Sequence, residues 1–168
     1  MLVKGFGYRY NGSMTIRRLH RMLIAKKQTV ATAESCTGGL LSAALTSLPG
    51  SSVYFLLGMV SYSNEAKASL LGIPPEHISR YTAVSDHIAR EMASSARELA
   101  KSDWGIGITG IAGPGGGSPE KPVGTVFIAV SGKKTTICLH FLFKGGRCRV
   151  REHAVSQALA MLGSLLRE

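Results

Sequence analysis

Three stretches of the chain hold side chains able to do chemistry. The first, Thr32 to Gly39, reads TAESCTGG: a carboxylate, a hydroxyl and a thiol in a row (Glu34, Ser35, Cys36), then two glycines. The second, GSSVYFLLGMVSYSNEAK, carries Ser51, Ser52, Tyr62 and Lys67. The third, GIGITGIAGPGGGSPEKPVG, is a long Gly/Pro segment with Thr109 and Gly110 at its entrance. A hydroxyl, a lysine and a phenol make a hydrolase set: nucleophile, base and proton relay. Cys36 with Glu34 and Lys67 would make a thiol amidase instead. At a strand–loop–helix junction, the N–H groups of Thr37, Gly38 and Gly39 would point out of the helix start and hold an anion or oxyanion. Thr109 and Gly110 can donate to a substrate oxygen.

Each of these has a plainer reading. Ser35 or Thr37 can simply cap a helix, and Ser52, Tyr62 and Lys67 can be a cap, a core-edge ring and a solvated charge. Bringing Ser52 to Lys67 needs a helix–Gly–strand hairpin. A single extended strand would part them by about 30 Å, at ~3.3 Å per residue. Gly105, Gly107 and Gly110 spell GxGxxG but lie inside a predicted strand, with no acidic residue about twenty positions on, so no dinucleotide site is read there. The ending GK[ST] of a P-loop is absent as well. The five histidines show neither HxxxH nor HExxH spacing and are assigned nothing; no metal or other cofactor is expected.

The elements that must position these residues follow from periodicity. Met14 to Gln28 puts Ile16, Leu19, Leu23 and Ile24 on one side of an amphipathic helix. QTVATAE reads as a strand and Gly38 to Leu48 as a helix. Ser51 to Leu57 reads as a short helix broken at Gly58, Met59 to Tyr62 as a strand, and Asn64 to Leu71 as a helix. Ser85 reads as an N-cap with Asp86 in the first turn, opening a helix with Ile88, Ala89, Met92, Ala93, Ala96, Leu99 and Ala100 on one stripe. Strands Trp104 to Thr109, Val123 to Val130 and Thr135 to Phe143 come next. The last helix, about Arg149 to Leu165, buries Val150, Ala154, Ala158, Leu162 and Leu165. The mixture predicts a single α/β domain, a three-layer sandwich whose partly parallel, partly antiparallel sheet is covered by helices on both faces.

With 168 residues, 45% of them hydrophobic, the chain can bury a core and is not a disordered segment. No apolar run is long enough to span a membrane and no signal peptide is visible, and three cysteines without paired spacing fit a reduced, cytoplasmic protein. The formal charge of +10 is uneven: residues 1–27 hold seven Lys/Arg and no carboxylate, and Lys133 to Arg151 six more. That suits an anionic ligand. Nucleic acid is the less favoured candidate, since aromatic residues do not interleave with the basic patches.

The blocks TVATAESCTGGLLSAAL, PGSSVYF, VSYSNEAK, AVS, GITGIAGPGGGSPEKPVGTV and FKGGRCRVRE, in this order, resemble the CinA C-terminal domain family, which includes bacterial nicotinamide-nucleotide amidases. The resemblance covers about residues 15–166, leaving residues 1–14 as an N-terminal extension; the pyrophosphatase domain of longer members is therefore not expected. It implies hydrolysis of nicotinamide mononucleotide, a small phosphorylated nucleotide, to nicotinate mononucleotide and ammonia, without a metal. By motif position it implies a catalytic set of Ser52, Lys67 and Tyr62, with Ser35 and Thr109 in the same pocket. The family's usual Gly-Asp-Arg is Gly145-Gly146-Arg147 here; the arginine is kept and the carboxylate is not. Arg147, supported by Arg151 one turn on, is expected to hold the phosphate, with Thr37, Gly38 and Gly110 completing the substrate contacts. The expected assembly is a homo-oligomer, most simply a dimer. A family member that only binds nucleotide is the alternative.

Overall fold

The computed structural model describes residues 15–167, so the expected N-terminal extension and the start of the first helix at Met14 lie outside the described residues. Helix α1 (Ile16–Lys26) opens under the Thr15 hydroxyl, which accepts from the Arg18 N–H, and buries Leu19 and Leu23, one turn apart. Ile24, expected on the same stripe, instead lies on the outer side at 42% exposure. Strand β1 (Val30–Glu34) is buried along its whole length, and helix α2 (Leu40–Leu45) follows. Gly38 and Gly39 belong to the turn before α2, not to the helix. Their φ angles of 59° and 94° are left-handed, which glycine adopts without a Cβ penalty.

Residues 51–60 depart from the sequence reading. Only Ser51–Val53 is helical, as one 3₁₀ turn, and strand β2 runs over Phe55–Val60 straight through Gly58. Its odd-numbered residues are half-buried and its even-numbered ones exposed, but the register against β1 shifts after Phe55, so Phe55 packs on one side of the sheet and Leu57 and Met59 on the other. Leu56 and Val60 are apolar at exposed positions as well, and this hides the period-two alternation in the sequence. Helix α3 (Asn64–Leu71) has the expected bounds, with the Ser63 hydroxyl accepting from the Ala66 N–H. Helix α4 (Pro75–Tyr81), not foreseen, starts with Pro at its first position.

Helix α5 (Asp86–Ala100) is capped by Ser85 as read, and Ile88, Ala89, Met92, Ala93 and Ala96 are buried; Leu99 points outward at 57% exposure. Strands β3 (Trp104–Gly110), β4 (Thr125–Ser131) and β5 (Thr136–Leu142) precede helix α6 (Arg147–Leu165). The five strands form one sheet in the order β2-β1-β3-β4-β5. β1 is parallel to both its neighbours, and the β3/β4 and β4/β5 pairs are antiparallel, so the sheet is mixed.

One face carries Val30, Ile106, Ile108, Val126 and Ile128 against α1, α2 and α6. The other carries Ala31 and Ala33 against α3, α4 and α5. The three-layer architecture is as expected. Two glycines of GxGxxG, Gly105 and Gly107, serve this packing. A Cβ on Gly105 would meet Ala93 O at 2.0 Å, and one on Gly107 would meet Ala89 O at 2.3 Å. They let the backbone of α5 lie directly on β3.

Candidate active site

The chemistry-bearing residues gather where the parallel strands end. Ser35 follows the last residue of β1, Tyr62 follows β2, and Thr109 and Gly110 close β3. In open α/β sheets the crevice beyond the carboxyl ends of the strands is where ligands bind. Here it is a cleft of about 270 Å³ lined by Ser35, Cys36, Tyr62, Lys67, the 109–116 loop and Arg147. A larger hollow of about 570 Å³ between α3 and α4 carries Glu65, Ser69 and Ser79 but no base beside a nucleophile.

Lys67 sits at the cleft floor and is 1% exposed. Its Nζ donates to the carbonyls of Ser61 at 2.9 Å and Tyr62 at 3.4 Å, and lies 3.3 Å from Ser35 Oγ. Among the described residues no carboxylate is within ion-pair distance of it. Burial pushes its pKa below the ordinary lysine value. A neutral amine has two N–H bonds and one lone pair. In that form the two carbonyls can take the N–H bonds and the lone pair can accept from the Ser35 hydroxyl; in the ammonium form Nζ donates to all three. Ser35, at 9% exposure, faces the cleft.

Ser52 is not part of this group. It is exposed in the 3₁₀ turn before β2, whereas Tyr62 and Lys67 follow the other end of that strand. Phe55 to Val60 alone spans about 17 Å at ~3.3 Å per residue. The hairpin that would have returned Ser52 to Lys67 does not form, and within this chain Ser35 is the hydroxyl the lysine meets. Sequence reading had a signal for it: Ser35 and Tyr62 both follow strand ends that point the same way.

Glu34 takes up the N–H groups at the start of α2. It is fully buried, and its carboxylate accepts from the N–H groups of Gly39, Leu41 and Ser42 and from the Ser42 hydroxyl, at 2.6 to 3.1 Å. The Gly38 N–H is used by Ser35 O. The expectation that the N–H groups of Thr37, Gly38 and Gly39 hold a substrate anion is therefore corrected at two of them: the Glu34 carboxylate takes that of Gly39 and the Ser35 carbonyl that of Gly38. Thr37 is wholly buried, and its carbonyl accepts from Arg151 Nη2 at 2.7 Å, with Arg151 also 3.2 Å from the place a Cβ on Gly38 would take. Thr37, Gly38 and Arg151 thus brace the cleft from beneath and do not line it. The thiol reading weakens for the same reason. Burial, with Glu34 nearby, pushes the Cys36 thiol up to about 11, far from a ready thiolate, and the Glu34 oxygens are committed.

Tyr62 is half exposed, and its phenol oxygen accepts from Arg147 Nη2 at 2.7 Å, so it forms the rim and its backbone carbonyl, not its phenol, serves Lys67. Arg147 also donates to Gly113 O at 2.9 Å and so bridges two walls. The Thr109 hydroxyl, expected to donate to substrate, donates to Ala83 O at 2.7 Å and holds the Thr82–Ser85 segment against the cleft. Asn64, the first residue of α3, lines the cleft and was not foreseen.

The chain is thus a three-layer α/β domain with a serine–lysine pair at the carboxyl ends of its parallel strands. Its relatives are specific: residues 13–166 match the CinA C-terminal domain, and the chain belongs to that family. It is 48% identical over 86% of its length to a CinA-like protein of Anaeromyxobacter sp. (strain K), and 49% identical over 84% to a putative competence-damage inducible protein of Acetivibrio thermocellus. The chain spans about a third of the length of these curated relatives, 36% and 34%. Among solved structures, the competence/damage inducible protein CihA from Agrobacterium tumefaciens superposes with a TM-score of 0.86 at 38% identity, covering 93% of this chain and 98% of that one. A competence or damage-inducible protein from Enterobacter asburiae gives 0.86 at 39%, covering 92% and 99%.

Proposed function

We propose that the chain is an amidase that converts nicotinamide mononucleotide to nicotinate mononucleotide and ammonia. The observation that carries this reading is the buried Lys67 amine beside Ser35 Oγ, with two carbonyls and no carboxylate around it. Ser35 Oγ attacks the carboxamide carbon as Lys67 Nζ takes its proton. The tetrahedral intermediate expels the amine, which leaves as ammonia with the proton Lys67 returns. Water, deprotonated by the same amine, then releases the acid and restores Ser35. The small cleft suits the amide-bearing ring, and Arg147 at the rim suits the phosphate.

Ammonia release from the mononucleotide, with free nicotinamide as the control substrate, tests the activity. Ser35→Ala should abolish turnover while Ser52→Ala and Cys36→Ala keep most of it. Full activity in Ser35→Ala would remove Ser35 from the mechanism. No release from the wild type, with mononucleotide binding intact, would favour a nucleotide-binding protein instead.

A further inference from the structure

We propose that His77, His87 and Glu91 form a binding site for a late first-row divalent cation of the zinc type, apart from the Ser35–Lys67 cleft. The ligands come from two helices, His77 from α4 and His87 and Glu91 one turn apart on α5, which is why no metal motif shows along the chain. His77 Nδ1 lies 2.6 Å and His87 Nε2 3.3 Å from Glu91 Oε1, and one donor atom from each residue falls within 4.8 Å of the other two. Around zinc, with bonds of about 2.0–2.2 Å, tetrahedral donors stand roughly 3.3 Å apart. The His87–Glu91 pair already has that spacing, and His77 needs only to give up its close contact with the carboxylate.

A second observation points to a ligand. His87 Nε2 and Glu91 Oε2 are buried atoms without a hydrogen-bond partner among the described residues. A cation held by the two imidazoles and the Glu91 carboxylate would take the lone pair of His87 Nε2 and lie beside the carboxylate that carries Oε2. The Tyr81 ring stacks on His87 with centroids 3.9 Å apart and an interplanar angle of 27°, which fixes the imidazole that must turn Nε2 inward. The side chains of His77, His87 and Glu91 keep 38%, 40% and 24% exposure, so solvent reaches the site and water can fill the remaining position. Two imidazoles and one carboxylate suit zinc better than calcium or magnesium, which prefer oxygen.

The cation would clamp α4 to α5 at the base of the Thr82–Ser85 link. That link lines the cleft through Ala83 and Val84, whose carbonyls accept from Thr109 and Lys121. The proposed role is to hold this wall, not to take part in amide hydrolysis.

Untagged protein stripped of metal should bind one zinc per chain by calorimetry, and its thermal midpoint should rise with added zinc. Cobalt(II) should give visible d–d bands of a nitrogen- and oxygen-ligated ion without thiolate charge transfer. His87→Ala and Glu91→Gln should each abolish saturable binding, while Cys148→Ser binds as the wild type does. The proposal is overturned by a wild type that shows no saturable binding, by unchanged affinity in either ligand variant, or by a thiolate band. The wild-type titration and spectrum decide the matter even if a variant fails to fold.

Discussion

Two buried ionisable side chains meet the same end of the sheet, and they are treated in opposite ways. Glu34, at the end of β1, has four donors on its carboxylate, all from the turn and helix that follow it. Lys67, below the end of β2, has two carbonyls, a serine hydroxyl and, among the described residues, no carboxylate in ion-pair contact. A buried charge whose every lone pair is used is part of the scaffold. A buried amine held only by neutral groups has its charged form disfavoured by burial and can exchange a proton.

The comparison breaks first, and by the largest effect, if Lys67 is dispensable. Lys67→Arg should lower kcat by roughly 10²–10⁴, because guanidinium does not shed its proton. In the wild type, kcat/KM for the mononucleotide should rise with pH through an inflection below the ordinary lysine value of about 10.4. The variant's residual rate should lack that inflection. Stability gives the opposite reading. Below its folded pKa Lys67 is charged in both states, so the full penalty of burying the charge applies. As pH rises through that pKa towards the unfolded value, the penalty fades and stability rises. Lys67→Met should therefore stabilise the fold at acidic and neutral pH, measured by denaturant unfolding, and lose this advantage in alkaline solution.

Glu34→Ala tests the other side. It strands three N–H groups at the start of α2 and should destabilise by about 3–5 kcal/mol, as when one partner of a buried charged network is removed. Glu34→Gln should lose less, since its amide keeps one acceptor oxygen. If instead Glu34→Gln folds normally and loses turnover as Lys67→Arg does, the carboxylate belongs to the chemistry.

Arg147 sharpens the contrast from the surface. Exposed and shared between Tyr62 and Gly113, it should act on binding: Arg147→Ala is expected to raise KM for the mononucleotide about ten- to a hundredfold, with a smaller change in kcat. Unchanged discrimination between the mononucleotide and its riboside would remove Arg147 as the phosphate anchor. The smallest effect is expected at Gly146. It begins α6 with no side-chain cap, where α2 has Glu34. Gly146→Asp should raise unfolding free energy by a few tenths of a kcal/mol.

The sequence carried the layers, the bounds of α3 and the cap of α5, because those helices have one polar face and local start signals. It misread residues 51–60, since apolar residues at the exposed positions of an edge strand imitate a helix. That error moved Ser52 to the wrong end of the sheet and hid the Ser35–Lys67 contact. The Glu34 cap was also hidden. Its donors lie five to eight residues on, and a carboxylate reads the same whether it is spent or free. Thr37, Gly38 and Arg151 were near enough to the site to resemble its lining, but only packing tells a brace from a wall.

The glycine track of β3 has a consequence for motion. With α5 resting on the backbone at Gly105 and Gly107, β3 is sealed from both sides, between two strands and two helical layers. Its amides should be reached by solvent only when the whole domain opens, and so be among the last to exchange their hydrogens. The residues proposed for catalysis hang from the ends of such strands. Their alignment rests on the slowest-opening part of the molecule.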